Sequence, residues 1–422
     1  MPGRGGSPGG STVIRVEGVT KLFGPDPASA LARLEAGQGK AELQAESGHV
    51  LGVNDVSFAL EPGEVFVIMG LSGSGKSTLI RCINRLIEPT AGRIFLEDPE
   101  TGCEEITGAS PERLRYLRRR HLSMVFQHFA LFPHRSVRSN VAYGLEIQGV
   151  AAAERLRRAQ EVLAMVGLGD WGDAYPQTLS GGMQQRVGLA RALATEARVL
   201  LMDEPFSALD PLIKVTMQQE LKKLQARLGR TILFITHDLD EAMRLGDRIA
   251  IMEDGAIVQL GTPEQILVNP RTDYVARFVE HADPTAVITA GTIALPLADD
   301  AFSPQGERQG LRLLGHRDHP TLSLGLDEAG HLRGAWRRDH PLPLDELERA
   351  LETPPPDRPR DDLLLSCSRE EVLRRVLRGR LHSSLPLLVT GPQGQLQGLI
   401  DEPQLIHGIL EKRGPRVEEA TA

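Results

Sequence analysis

Apolar residues fall into two patterns along the chain. Short continuous runs, such as Val65-Phe66-Val67-Ile68-Met69 and Val199-Leu200-Leu201-Met202, have the length of buried strands. Amphipathic stretches at helical spacing lie between them. From residue 50 to about residue 282 the two patterns alternate, which predicts an α/β core around a largely parallel sheet. Ahead of that core, residues 12–16 alternate as a strand. Residues 26–47, rich in Ala, Leu, Glu and Gln, predict a helical insert. From about residue 283 Gly, Pro and charged residues increase and the apolar runs shorten, so a smaller second domain is expected over residues 283–422. Within it, Gly330-His331-Leu332-Arg333-Gly334 is echoed by Gly394-Gln395-Leu396-Gln397-Gly398. Each follows a strand-like run and precedes a helical stretch, around residues 344–351 and 404–412. A β-β-α unit is therefore expected twice, with the Pro-rich segment 353–360 extended between the copies. Ser368 and Glu371 predict a capping box that opens a helix in the second copy. Residues 1–11, rich in Gly, Pro and Ser and lacking an apolar stretch, predict a disordered tail rather than a secretory signal.

Candidate chemistry begins where the run 65–69 ends. Gly70-Leu71-Ser72-Gly73-Ser74-Gly75-Lys76-Ser77 matches G-x-x-x-x-G-K-[ST] and is followed by the helix-like Thr78-Leu79-Ile80-Arg81. Strand, glycine loop and helix together make a phosphate cradle: backbone N–H groups curl around the oxygens and the helix N-terminus adds positive potential. Lys76 is placed to reach the β- and γ-phosphates and Ser77 to ligate Mg²⁺. The run 199–202 ends in Asp203-Glu204, and acids at the C-terminal edge of a parallel strand face the ligand crevice. Asp203 is the candidate metal ligand and Glu204 the group that orients an attacking water. Leu179-Ser180-Gly181-Gly182-Met183-Gln184-Gln185 opens another helix with a second anion-ready N-terminus. One nucleotide does not need two such sites in one subunit; a head-to-tail dimer with the nucleotide between copies does. His237, after Phe234-Ile235-Thr236, is a candidate sensor of the γ-phosphate.

Composition narrows the class. The 422 residues carry a formal net charge of −8, which gives no support for a nucleic-acid binder. No apolar run approaches the ~20 residues of a membrane-spanning helix. Cys82, Cys103 and Cys367 are scattered without metal-ligand spacing, as in a reducing compartment. Arg113, Arg115, Arg118, Arg119 and Arg120 cluster locally, as a solvated helix face or a face near anionic lipid.

In this order the motifs resemble those of the ATP-binding subunit of an ABC transporter, across roughly residues 12–282. The phosphate loop, the Ser180-Gly181-Gly182 signature, Asp203-Glu204, the D-loop-like Ser207-Ala208-Leu209-Asp210 and His237 all match. Gln127 resembles the Q-loop glutamine that links Mg²⁺ and γ-phosphate to the membrane subunit, and Phe23 stands in the A-loop place that stacks on adenine. The resemblance implies a P-loop ATPase domain with a helical subdomain. It also implies a homodimer that sandwiches two Mg-ATP, with Phe23, Gly70 to Thr78 and Gln127 binding in cis and Ser180, Gly181, Gly182 and Asp210 in trans. Ser77, Gln127 and Asp203 would serve the metal, and Glu204 and His237 the chemistry.

A finer resemblance, through Asn84-Arg85-Leu86-Ile87-Glu88-Pro89-Thr90, Asp238-Leu239-Asp240-Glu241-Ala242 and the helical insert, is to the ATPase of glycine betaine/proline importers. That subfamily implies membrane permease subunits, an external substrate-binding protein, a place at the cytoplasmic face of the inner membrane and a C-terminal pair of CBS modules. Here Gly334-Ala335-Trp336-Arg337-Arg338-Asp339 and Gly398-Leu399-Ile400-Asp401-Glu402-Pro403-Gln404 lack the Thr and Asp of adenosine-binding CBS modules, which leaves ionic-strength sensing or dimer contact for this domain. Alternatives are an importer of another solute, such as an amino acid, and a soluble ABC ATPase acting on nucleic acid or ribosomes. The segment after Gln127, with Phe129, Leu131, Phe132 and Pro133, is the expected apolar contact with the membrane subunit.

Overall fold

A computed structural model of the chain describes residues 12–127 and 130–411. The expected tail and Phe129 lie outside these residues. The described chain divides into two compact units. One runs to Ile266 and includes Pro270–Val279; the other comprises Leu267–Asn269 and the chain from Glu280 onward.

The first unit contains two sheets. Strands β1 (Ile14–Phe23), β2 (Val50–Leu60), β4 (Ala91–Asp98) and β5 (Gly102–Glu105) form an antiparallel sheet in the order β2-β1-β4-β5. Strands β3 (Val65–Met69), β6 (Leu122–Val125), β7 (Val199–Asp203), β8 (Thr231–Thr236), β9 (Arg248–Glu253) and β10 (Ala256–Gly261) form the second, in the order β10-β9-β3-β8-β7-β6. From β9 to β6 this sheet is parallel, and β10 is antiparallel at its edge. Every residue of β3, β7 and β8 is buried, which is why these strands read as unbroken apolar runs instead of alternating ones. Both sheets feed one core, in which Ile14, Phe58 and Ile94 join Phe66, Ile68 and Leu233 and the helix residues Leu79 and Ile83.

The insert forms as expected, as two helices, α1 (Pro27–Glu35) and α2 (Lys40–Ser47). Ala30 and Leu43 bury with Leu22 of β1 and Leu51 of β2, so the insert is pinned to the strands on either side of it. The helix after the phosphate loop is α3 (Lys76–Ile83). Then α4 (Pro111–Arg120) leads to β6, and α5 (Val137–Ile147), α6 (Ala152–Met165) and α7 (Gly181–Ala194) form the helical subdomain between β6 and β7. The basic cluster on α4 is not one solvated face. Arg113 pairs with Asp98 and Glu104, and Arg118 donates to the carbonyls of Asn84 and Arg85 at the end of α3; Arg115, Arg119 and Arg120 remain exposed.

The second unit also holds two sheets, and its two repeat copies are unequal. Strands His319–Leu326 and Leu332–Arg337 form the first hairpin, inside a five-stranded antiparallel meander. Two short strands follow before a helix of four residues, Leu347–Ala350, so the β-β-α expectation fails for this copy. The second hairpin, Leu387–Thr390 with Leu396–Ile400, is followed directly by the helix Glu402–Leu410, as expected. The two Gly turns meet: His331 bridges Gln395, and Leu396 N–H donates to Gly330 O at 3.0 Å. The expected capping box at Ser368 is absent. Ser368 ends a strand and its hydroxyl accepts from Glu370 N–H; the helix begins at Leu373 after Val372, with no side-chain cap. The local sequence offered a cap, but the strand register claimed Ser368 first.

The loop before α5 depends on one side chain. Asn140 is fully buried; its Oδ1 accepts from Phe132 N–H at 2.8 Å and its Nδ2 donates to the carbonyls of Phe132, Arg135 and Ser136 at 3.0–3.1 Å. Replacing it by Ala takes away the partner of Phe132 N–H and of Arg135 O, while Phe132 O and Ser136 O keep backbone donors. Asn140→Ala is expected to cost about 2–4 kcal/mol, measured by urea unfolding, with faster proteolysis in residues 130–136.

Candidate functional site

The phosphate loop closes because two of its residues have no side chain. Gly70 (φ +154°) lies where a Cβ would stand 2.2 Å from Met252 O, and Gly75 (φ +98°) where it would stand 2.0 Å from Gly52 O. Any other residue would push the loop off β2 and off β9. Gly75 caps α3 through its backbone alone, so the first N–H groups of the helix point into the loop's concavity. Lys76 Nζ folds over the loop and donates to Gly70 O at 2.8 Å and Leu71 O at 2.9 Å. Burial pushes its pKa down, while the Glu204 and Asp203 charges oppose the fall.

The carboxylates arrive from β7. Asp203 is fully buried and its Oδ1 accepts from Ser77 Oγ at 2.8 Å, with Arg81 Nη2 3.5 Å from its Oδ2. Burial raises its pKa; the Ser77 hydrogen bond and the Arg81 charge pull the other way. At Glu204 the backbone turns left-handed, φ +48°, which swings its carboxylate to the cavity instead of continuing the strand. Several bonds hold that turn: Glu204 N–H donates to Ile235 O at 3.1 Å, and its carbonyl accepts from Gln185 Nε2 at 3.3 Å and Ser207 Oγ at 3.1 Å. The Glu204 Oε2 then accepts from Gln127 Nε2 at 3.3 Å and lies 3.2 Å from His237 Nδ1.

These groups enclose one cavity of about 590 Å³. Phe23 and Gly52 line it together with Ser72, Gly73 and the loop from Gly75 through Thr78, and with Gln127, Glu204 and His237. Phe23 lies against Gly52, where a Cβ would meet its ring at 2.8 Å. Ser180, Gly181, Gly182 and Asp210 are not in its lining. Ser180 caps α7, its Oγ accepting from Met183 N–H at 3.3 Å, and Asp210 caps α8 (Pro211–Leu228) by accepting from Ile213 N–H at 3.1 Å. Ser180, Gly181 and Asp210 are exposed. The cis and trans sets expected from the sequence are thus apart in a single chain.

A hydroxyl (Ser77), a carboxylate (Asp203) and an amide oxygen (Gln127) are hard oxygen donors of the type Mg²⁺ takes, and Ser77 already touches Asp203. Among the described residues no cluster of three His, Cys, Asp or Glu could hold a metal unaided.

Several supporting residues were not singled out from sequence. Arg81 backs Asp203, and Lys40 of α2 lines the cavity. Tyr274 Oη accepts from Leu71 N–H at 3.3 Å and sits 3.4 Å from Met252 O. Gln185, quoted in the signature without a role, is buried and spans Glu204 O and the N–H of Ala208 at 3.1 Å. Its spacing, five residues after Ser180 on α7, was the only signal. Gln185 is a positioning residue: Gln185→Ala is expected to lower kcat for ATP hydrolysis about tenfold or more by loosening the Glu204 turn. The ATP Kd should stay within about twofold; steady-state kinetics and nucleotide titration separate the two.

Comparison with known proteins agrees with this geometry. The ABC transporter family profile matches residues 53–207. The chain is 54% identical over 301 residues to the glycine betaine transport ATP-binding protein OpuAA of Bacillus subtilis, covering 71% of each chain. It is 51% identical over 308 residues to the glycine betaine/proline betaine transport system ATP-binding protein ProV of Salmonella typhimurium, covering 72% of this chain and 76% of that one. Its fold matches the dimeric post-hydrolysis structure of an ATP-binding cassette bound to ADP and Pi, with a TM-score of 0.51 and 31% identity over 59% of this chain and 98% of that one. On the strength of that identity over more than two thirds of both chains, this chain belongs to the ABC transporter family, as one of its ATP-binding proteins.

Proposed function

We propose that the chain is the ATP-hydrolysing subunit that powers import of glycine betaine and proline betaine-type osmoprotectants through partner membrane subunits, working as a homodimer at the cytoplasmic face of the membrane. The observation that carries the substrate class is the identity above 50% to ATP-binding proteins of glycine betaine systems in two organisms. No helix among the described residues is long and apolar enough to cross a membrane.

The cavity supports the following residue roles. Phe23 offers a π-face to adenine, and the loop amides with Lys76 hold the phosphates. Mg²⁺, when bound, neutralises phosphate charge; Ser77, Asp203 and Gln127 would hold it. Glu204, within reach of both Gln127 and His237, orients the attacking water. His237, largely exposed in one chain, faces the γ-phosphate end. Ser180, Gly181, Gly182 and Asp210 complete the site of the opposite copy, a reading supported by their separation from the cavity of their own chain. Closure is passed on beyond Gln127, where Phe126, Ala130, Phe132, Tyr143 and Ile147 line an apolar groove of about 460 Å³ suited to a segment of the membrane subunit. In the second unit Asp401, in the stretch that lacks the adenosine-binding Thr and Asp, is paired with His319 at 2.6 Å and Arg380 at 3.7 Å, which supports a role other than nucleotide sensing.

Two experiments test this. Glu204→Gln is expected to keep ATP affinity within a few-fold and to slow hydrolysis by about a hundredfold or more; hydrolysis near the wild-type rate removes the role given to Glu204. In a deletion strain, restoring the gene is expected to restore uptake of labelled glycine betaine. If ATP hydrolysis is present and no betaine uptake depends on the gene, the substrate class is wrong and the ATPase role stands.

A further inference from the structure

We propose that Lys40, carried by the helical insert, is a second phosphate-binding cation of the nucleotide cavity; the inference rests on the ATPase reading above. Lys40 is the first residue of α2, and α1 and α2 are fixed to β1 and β2 through Ala30, Leu43, Leu22 and Leu51. The insert therefore presents Lys40 from a rigid base. Its side chain lines the same cavity as Gly73, Gly75, Lys76 and Glu204. Among the described residues lining that cavity, Lys40 and Lys76 are the lysines, and no arginine is present.

The present partner of Lys40 is one it can give up. Its Nζ lies 2.8 Å from Asp254 Oδ1, and the Asp254 side chain is 75% exposed. Such a pair is weak, because water competes for both charges. Asp254 belongs to the tight turn between β9 and β10, where Gly255 N–H donates to Ser74 O at 3.1 Å. The turn that carries the anchor of Lys40 is thus hydrogen-bonded to the phosphate loop through Gly255, and a small rotation of the lysine's four-carbon stem would move the ammonium from the carboxylate to an oxygen of the bound phosphate chain. Electrostatics favours the exchange. A nucleoside triphosphate brings several negative charges beside Glu204 and Asp203, a divalent ion cancels only part of them, and Lys76 is one positive charge. The insert then has a function: it adds a wall and a cation to a cavity that β1, β2 and the phosphate loop leave open.

The alternative is a purely structural clasp, in which Lys40 and Asp254 tie the insert to the turn. The two differ in what Asp254 does. Binding of Mg-ADP to the full-length protein is measured by titration calorimetry, and binding of adenosine by displacement of Mg-ADP, with melting temperatures recorded for each variant. If Lys40 binds phosphate, Lys40→Met weakens Mg-ADP about three- to fivefold, leaves adenosine within error and is rescued by Lys40→Arg. Asp254→Asn then keeps or raises Mg-ADP affinity, because the lysine is released toward the nucleotide. The proposal is overturned if Asp254→Asn weakens Mg-ADP as much as Lys40→Met, or if Lys40→Met weakens adenosine equally or changes nothing. Failure of the wild-type protein to bind Mg-ADP or Mg-ATP would instead overturn the ATPase reading.

Discussion

The site depends on a backbone approach closer than any side chain allows. Gly75 sits against the carbonyl of Gly52, and Gly70 against that of Met252. Between these contacts the loop is also hydrogen-bonded to the β9–β10 turn, where Asn54 N–H donates to Gly255 O and Gly255 N–H to Ser74 O. The antiparallel and parallel sheets thus meet at the phosphate loop, and its curvature is set by both. A cradle built from backbone amides costs little to reorganise when an anion arrives, which suits phosphate binding. Lys76 is held over it by the loop's own carbonyls, so phosphate oxygens exchange for neutral acceptors instead of displacing a carboxylate.

The two acids at the end of β7 are neighbours in sequence with different surroundings. Asp203 continues the strand into the core and is kept there by Ser77 and Arg81. Glu204 leaves the strand through a left-handed residue, a conformation that costs about 1–2 kcal/mol for a residue with a Cβ. Strain of that size persists only where neighbours enforce it, and here Ile235, Gln185 and Ser207 all bond to Glu204's backbone. Gln185 comes from α7, the helix that Ser180 caps. The helix that holds the Glu204 turn through Gln185 is therefore the one whose N-terminus carries Ser180, Gly181 and Gly182.

How much of this was legible depended on whether chemistry or packing fixed the residues. Gly70 to Ser77, Asp203, Glu204, Gln127 and His237 could be picked out because phosphate and water chemistry restrict which residues can stand there; Ser72, Gly73, Gly75, Lys76, Ser77, Gln127, Glu204 and His237 line one cavity, and Asp203 stands behind it, bonded to Ser77. The insert could be read as helix from composition. Its Lys40 could not be read as a cavity residue, because its partner Asp254 is 214 positions away. The left-handed turn at Glu204 had no sequence signal, since no glycine marks it. The repeat shows the opposite limit. Both Gly turns formed hairpins, yet the first entered a meander and the second a hairpin with a helix, a choice made by sheet pairing and not by the turns. Ser368 had the spacing of a cap and was taken by a strand for the same reason.

One short stretch connects the site to the surface that a membrane subunit would meet. Gln127 bonds Glu204 at one end, and beyond the undescribed residues 128–129 the chain reaches Ala130 and Phe132 on the wall of the apolar groove. Phe132 packs against Tyr143 with ring centroids 4.6 Å apart, and Asn140 ties the same loop to α5. The groove is therefore not a soft surface feature: its wall is latched to a helix of the subdomain that also carries the signature. Under the proposed function, a change at Glu204 that shifts Gln127 acts on one end of this stretch, while Asn140 ties its other end to the subdomain. In the proposed dimer the same subdomain carries Ser180 into the opposite site, so nucleotide occupancy and the position of the groove would be two readouts of one motion.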